Sequence, residues 1–222
     1  MATTRPAAIL DVDGTLVDSN YHHALAWYRA LRAHELVVPL WRLHRHVGMG
    51  GDKYVAAVAG EDVERRLGDE LRARWEQEFD RLLPEVAPLD GAYDLIARLR
   101  ERGHRIVLAS SAIRPHFDAF VDDKLGVRKL ADDWTTKEDV DSSKPDPDLV
   151  GAALAKAGTE TAVMVGDTPW DCEAAGRAGI ATICVLTGGF SSAELRDAGA
   201  AAVFDSPRDL LVRLDETPLG PA

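Results

Sequence analysis

The sequence predicts an α/β fold, a doubly wound parallel sheet that carries an inserted, wholly helical unit. Three observations predict it. Short apolar runs at Ala7-Ala8-Ile9-Leu10, Ile106-Val107-Leu108-Ala109 and Ala162-Val163-Met164-Val165 each stop at polar residues, as buried parallel strands do where they exit into loops. Helical patterns separate the runs. Far more chain lies between the first run and the second than the roughly 30 residues of a βαβ unit.

Taken in order, the first run opens into Asp11-Val12-Asp13-Gly14-Thr15. A helix over 20–32 follows, with Ala24, Leu25, Trp27, Tyr28 and Leu31 at amphipathic spacing. Helical patterning continues through Leu83 and ends at the Pro84 and Pro88 punctuation. Residues 18–87 are therefore expected to form a helical cap, and 1–17 with 88–222 the α/β core. A helix over 91–102 places Ala92, Leu95, Ile96 and Leu99 on one face, and Gly103 stops it before the second run. That run exits into Ser110-Ser111-Ala112. Pro145 keeps Lys144 on a loop, and Asp146-Pro147 reads as N-cap and first residue of a helix reaching Gly158. The third run exits into Gly166-Asp167. A helix over 170–178, a strand over 181–185 and a last helix over 207–214 complete the pattern, with no internal repeat.

The residues at the strand exits carry chemistry. Asp11 and Asp13 stand two apart, so one carboxylate can act as nucleophile while the other moves a proton. Gly14 lets the chain turn tightly and bring backbone N–H groups to an anion. A fixed Lys144 ammonium over the same crevice would neutralise negative oxygens. Gly166-Asp167-Thr168-Pro169-Trp170-Asp171 adds hard oxygen ligands suited to Mg²⁺, which takes one or two protein carboxylates and keeps other positions for water and phosphate. Each motif also has a bland reading: a DxD in an ordinary turn, a solvated lysine, Asp167 or Asp171 at a helix N-terminus, Ser110 ending a strand. Their joint order is what the bland readings leave unexplained.

That order resembles the four motifs of the haloacid dehalogenase-like superfamily, with a Rossmann-like core. The helical insert after the first motif is similar to the C1-type cap of the phosphoglycolate phosphatase and β-phosphoglucomutase branch. The resemblance implies a phosphatase acting on a small phosphorylated metabolite through an aspartyl-phosphate intermediate. Asp11 would attack, Asp13 would be acid/base, Ser110 would hydrogen-bond the phosphoryl oxygens and Lys144 would stabilise them. Gly14, Thr15 and Ser111 are expected to contact the phosphate. Mg²⁺ would be held by Asp11, the backbone carbonyl of Asp13, and Asp167, with Asp171 either a ligand through water or a partner of Lys144.

Asp13 favours phosphate esters, because dehalogenases and phosphonoacetaldehyde hydrolases of the superfamily lack an acid there. Three other readings stay open: a β-phosphoglucomutase-like phosphomutase, suggested by Asp18-Ser19 and the stretch from His22 to Trp27; a phosphonoacetaldehyde hydrolase, suggested by Met49-Gly50-Gly51-Asp52-Lys53; and a non-catalytic binding module. Arg45 and Lys53 are available to meet a second anionic group of the substrate, or are exposed charge on a helix-to-helix turn. The cap histidines 22, 23, 34, 44 and 46 show no HExxH spacing and are expected to be solvated or hydrogen-bonded rather than zinc ligands. The five tryptophans are expected in core or cap-interface packing.

Composition narrows the partners. A net charge of −11 disfavours nucleic acid and anionic membrane, and requires a metal and local cations to attract an anionic substrate. With 46% hydrophobic and 28% charged residues and no apolar run near the roughly 18 residues of a membrane span, no membrane association is expected. Residues 1–6 lack a basic-then-apolar leader pattern, so the cytoplasm is the expected compartment. Cys172 and Cys184 lack ligand spacing and read as buried small hydrophobes. A monomer or weak homodimer is expected.

Overall fold

In the computed structural model, which describes residues 5–159 and 161–221, β1 (Ala7–Leu10) is followed by four consecutive helices: α1 (Asn20–Ala33), α2 (Leu40–His44), α3 (Gly51–Ala59) and α4 (Glu61–Leu82). Then come α5 (Ala92–Glu101), β2 (Ile106–Ala109), α6 (Arg114–Asp118), β3 (Asp133–Thr135), α7 (Asp148–Ala157), β4 (Ala162–Gly166), α8 (Pro169–Arg177), β5 (Ala181–Val185), α9 (Ser192–Asp197), β6 (Ala200–Phe204) and α10 (Pro207–Val212). Most of the N-terminal stretch read above for a leader, residues 1–4, lies outside the described residues. No described helix is long and apolar enough to cross a membrane.

The strands form one parallel sheet in the order β3-β2-β1-β4-β5-β6. Successive residues of a strand point to opposite faces, and the strands use both. On one face Ala8, Leu10, Ile106, Leu108, Val163 and Val165 pack with Leu95, Ile96 and Leu99 of α5 and Leu210 of α10. On the other, Ala7, Ile9, Val107, Ala109 and Met164 pack with Leu149, Val150 and Ala153 of α7 and Ala174 and Ala175 of α8. Each large aliphatic side chain buried this way stabilises the fold by roughly 1.5–3 kcal/mol. The sheet order reverses direction at β1, which lies between β2 and β4. Register does the rest: Leu10 sits level with Leu108 on one side and Val165 on the other. Asp11, Ser110 and Asp167 therefore emerge together at the switch point, where open α/β sheets bind ligands.

The helical insert leaves and rejoins this core through paired strands of backbone. Asp18 N–H donates to Ala87 O and Leu89 N–H to Leu16 O, both at 2.9 Å, around a bridge between Val17 and Pro88. Beyond it, α1–α4 have their own apolar centre in Trp27, Leu31, Leu43, Tyr54, Val55, Val58 and Leu71. The Glu78 carboxylate of α4 is buried rather than solvated, and is met by Arg29, Arg74 and Arg81.

Several elements differ from expectation. β3 is a three-residue Asp-Trp-Thr with no apolar run, and β6 is an apolar but alanine-rich run that stays partly exposed along most of its length, because an edge strand pairs on one side only. Neither they nor α9 stand out in the sequence. α7 begins at Asp148 with Pro147 at the N-cap, one residue later than read, and α10 stops at Val212 rather than 214. Trp41 is not packed: it is 69% exposed. Cys172 and Cys184 are both free and buried with Phe190 and Leu195, their sulfurs 3.3 Å apart.

Candidate active site

The turn after β1 is built around Gly14, whose φ of +75° disfavours any side chain. A Cβ there would lie 2.3 Å from Asp167 Oδ2 and 2.4 Å from Asn20 Nδ2, so the glycine also makes room for the acids. The next residue, Thr15, donates its hydroxyl to Asp167 Oδ1 at 2.7 Å and lies 3.4 Å from Asp11 Oδ2. Asn20 Nδ2 donates to Asp167 Oδ2 at 2.7 Å. Asp11 and Asp167 are both almost fully buried.

Asp13 leans the other way. His23 Nε2 on α1 lies 2.8 Å from Asp13 Oδ1, the Ser19 hydroxyl donates to the same oxygen at 2.8 Å, and the Ser110 hydroxyl donates to Oδ2 at 3.0 Å. The His23 ring is itself held flat against Phe79, with centroids 3.9 Å apart and planes 5° from parallel. The Ser111 hydroxyl, one residue on, is buried without a partner among the described residues.

Lys144 is held by burial and by two carboxylates: its Nζ lies 2.5 Å from Asp11 Oδ1 and 2.7 Å from Asp171 Oδ1. Asp171 is committed on both oxygens. Its Oδ2 accepts from Asp167 N–H, Thr168 N–H and the Thr168 hydroxyl, in a capping box that starts α8 with Pro169 in its first turn. The contact with Lys144 is one of the two roles left open for Asp171, and the same carboxylate also stands beside Asp11 and Asp167.

Charge explains the rest. Four carboxylates gather around one ammonium. Burial pushes the Asp11 carboxyl up, Lys144 offsets part of this, and Asp171 and Asp13 add to it, leaving it at about 7. Burial and the Asp171 and Asp11 charges likewise hold Asp167 well above the usual carboxylate range. Burial alone would lower the Lys144 ammonium, but Asp11 and Asp171 outweigh it and raise it. Asp13 differs: burial opposes ionisation, yet the His23, Ser19 and Ser110 hydrogen bonds keep it below the ordinary value. The excess negative charge beside Asp11 and Asp167 is what a hard divalent cation would offset. Carboxylate oxygens of Asp11, Asp167 and Asp171 lie within 4.8 Å of one another, and an all-oxygen donor set of this kind fits Mg²⁺.

The acids open into a cavity between core and insert, lined on the core side by Asp11, Asp13, Ser111 and Lys144. Gly14, Thr15 and Ser110 stand behind that floor. Arg45 and Lys53 do not line it. Arg45 pairs with Glu194 and lies over the Phe190 ring, 4.2 Å from its centroid, and Lys53 pairs with Asp146. Both are held as bridges from insert to core, because an acid of the core stands opposite each. Further bridges tie the start of α3 to the Lys144 loop: Gly50 N–H donates to Ser143 Oγ at 3.1 Å and Ser143 N–H to Asp52 Oδ2 at 3.3 Å. On the far side His44 Nε2 meets Gly188 O at 2.9 Å.

Sequence reasoning missed Ser19, Asn20 and His23 as site residues. A signal existed: a helix that begins directly after an acidic strand exit points its first turn back at that exit, and 19 and 23 share one face.

A model of the haloacid dehalogenase-like hydrolase family matches residues 6–179. The crystal structure of a hydrolase from Pseudomonas syringae superposes with a TM-score of 0.89 at 33% identity, over 95% of this chain and 98% of that one. Validoxylamine A 7'-phosphate phosphatase of Streptomyces hygroscopicus subsp. limoneus is 28% identical over 186 residues, 81% of this chain and 85% of that protein. Phosphoglycolate phosphatase of Rhodospirillum rubrum is 30% identical over 211 residues, 90% of this chain and 86% of that protein. Motif order, sheet topology and these similarities agree, and the chain belongs to the haloacid dehalogenase-like hydrolase family.

Proposed function

We propose that this protein is a Mg²⁺-dependent phosphatase that hydrolyses a small phosphorylated metabolite through a phosphoryl-enzyme intermediate on Asp11. The observation that carries this reading is the pairing of two differently held carboxylates at one cavity floor. Asp11 is fixed by Lys144 with Asp171 behind it, whereas Asp13 is fixed by His23, Ser19 and Ser110. Membership of a hydrolase family and relatives named as phosphatases support it.

In this reading Asp11 attacks phosphorus and the bond to the ester oxygen breaks. Asp13, which would carry a proton once the phosphoryl group's negative charge stands beside it, gives that proton to the ester oxygen, and the alcohol leaves. Asp13, now a carboxylate, takes a proton from water as the water attacks the phosphorus of the acyl phosphate. Inorganic phosphate is released and Asp11 is restored. Lys144 and the unpartnered Ser111 hydroxyl are placed to meet phosphoryl oxygens, and the backbone N–H groups of the Gly14 turn to approach them. Asp11, the backbone carbonyl of Asp13, and Asp167 would hold Mg²⁺, which when bound supplies charge neutralisation for the phosphoryl group. Residues 18–87 act as a cap that closes the cavity and excludes water.

Two measurements check this reading. Phosphate release from a generic aryl phosphate should vanish after dialysis against a chelator and return with Mg²⁺. Mg²⁺ should also raise the melting temperature by binding the folded state alone; release that survives chelation undiminished would sink the metal requirement. His23→Ala should lower kcat by about 10–100-fold with little change in KM, because it loosens the acid/base group rather than the phosphate site. An equal fall through KM alone would contradict the assignment of Asp13.

A further inference from the structure

The two halves of the cavity differ in kind. Opposite the acids stands a wall of Trp27, Val47, Met49, Tyr54 and Trp75, completed by the backbone of the 48–51 turn. Trp27 stacks between Tyr54 and Trp75, with centroids 4.5 and 5.4 Å away and planes within 20° of parallel. The Tyr54 hydroxyl is turned out of the wall and donates to Leu43 O at 2.8 Å, so the residue offers ring rather than hydroxyl.

Among the described residues this wall has no cation. Lys144 is the one lysine or arginine among the lining residues, and it is engaged by Asp11 and Asp171. Arg45 and Lys53 are paired with core acids, and Arg72 is held by Glu64 and Asp69. Lys137 and Arg72 line a separate outer cavity that shares Gly51, Trp75 and Ser111 with this one. His23 is committed to Asp13.

We infer that this site takes phosphate esters whose leaving group is uncharged and carries an apolar or flat ring body, and that it discriminates against compact esters with a second anionic group. The inference rests on the phosphatase reading above. A ring seated on the aromatic wall gains stacking and apolar burial. A carboxylate two carbons from the phosphate would lose its hydration against that wall and meet no counter-charge.

Gly51 offers a direct test of the missing cation. A Cβ there would meet Arg72 Cδ at 3.5 Å and Trp27 Cζ2 at 3.8 Å, both ordinary contacts, and its φ is not positive. The neighbouring Gly50 has no such room, its Cβ falling 2.4 Å from Ser143 Cβ. Gly51→Lys therefore adds an ammonium on a residue of the wall, at a position where a Cβ meets only ordinary contacts.

The experiment compares benzyl phosphate with phosphoglycolate, two alkyl esters of similar leaving-group basicity. It reads kcat/KM in the Mg²⁺-loaded enzyme, and binding to the Asp11→Asn variant by calorimetry. Benzyl phosphate should be favoured at least about 100-fold in kcat/KM and about tenfold in binding, and Gly51→Lys should narrow the kcat/KM ratio at least about tenfold. Equal binding of the two esters, a preference for phosphoglycolate, or a folded Gly51→Lys protein with an unchanged ratio would overturn the inference. If neither ester is hydrolysed but benzyl phosphate still binds selectively, the phosphatase reading fails and the leaving-group inference stands.

Discussion

Asp11→Asn is expected to lower kcat for phosphate release by at least about 10⁴-fold, since an amide cannot serve as the attacking group and the neighbouring Asp13 is engaged by His23, Ser19 and Ser110. Stability should move the opposite way from activity. Asp11 is a buried carboxylate crowded by Asp171 and Asp13 and held near 7, and the amide removes one charge while Lys144 keeps Asp171. The urea midpoint should therefore stay level or rise, a trade of the kind seen where a site is built against its own stability. Phosphate release and urea denaturation on the same preparation check both halves. Retention of more than about a hundredth of the activity would rule out Asp11 as the nucleophile.

Lys144→Ala should fail on both counts. Its ammonium bonds both Asp11 and Asp171, and removing one partner from a buried charge cluster costs about 3–5 kcal/mol. kcat should fall by roughly 10³-fold, with the nucleophile no longer oriented and the phosphoryl charge unmet. Lys144→Arg is expected to restore little, because a planar guanidinium does not occupy the space of a compact ammonium between two carboxylates. A Lys144→Ala protein with the wild-type urea midpoint would show that the carboxylates are neutralised some other way.

The parts of this molecule that were legible in sequence are those whose physics is local. The inner strands declare themselves because both faces are buried, so β1, β2 and β4 are continuous apolar runs, and the residue that ends each run is the residue at the sheet's ligand-binding edge. The edge strands do not, since a three-residue Asp-Trp-Thr or an alanine-rich segment becomes a strand only when a neighbour supplies its hydrogen bonds. The same division holds at the site. Asp11, Asp13, Ser110 and Asp167 are readable from strand exits and Lys144 from the loop that Pro145 imposes, and the fold brings all five together. His23 is not readable in this way, because nothing in a histidine on an amphipathic helix says which carboxylate it will meet. Arg45 and Lys53 were found as cations, but their engagement with Glu194 and Asp146 depends on distant segments meeting in three dimensions. The absence of a free cation at the aromatic wall is a property of the assembled cavity, with no counterpart in any single stretch of sequence.

The short segment from Ser143 to Asp146 has two masters. Its lysine serves the floor of the site, while Ser143 and Asp146 are gripped by Gly50, Asp52 and Lys53 at the start of α3. Lifting the insert to admit or release a ligand would break these ties and slacken the segment that aims the ammonium. In the phosphatase reading proposed above, opening the site and aiming the lysine would therefore be coupled through one four-residue segment.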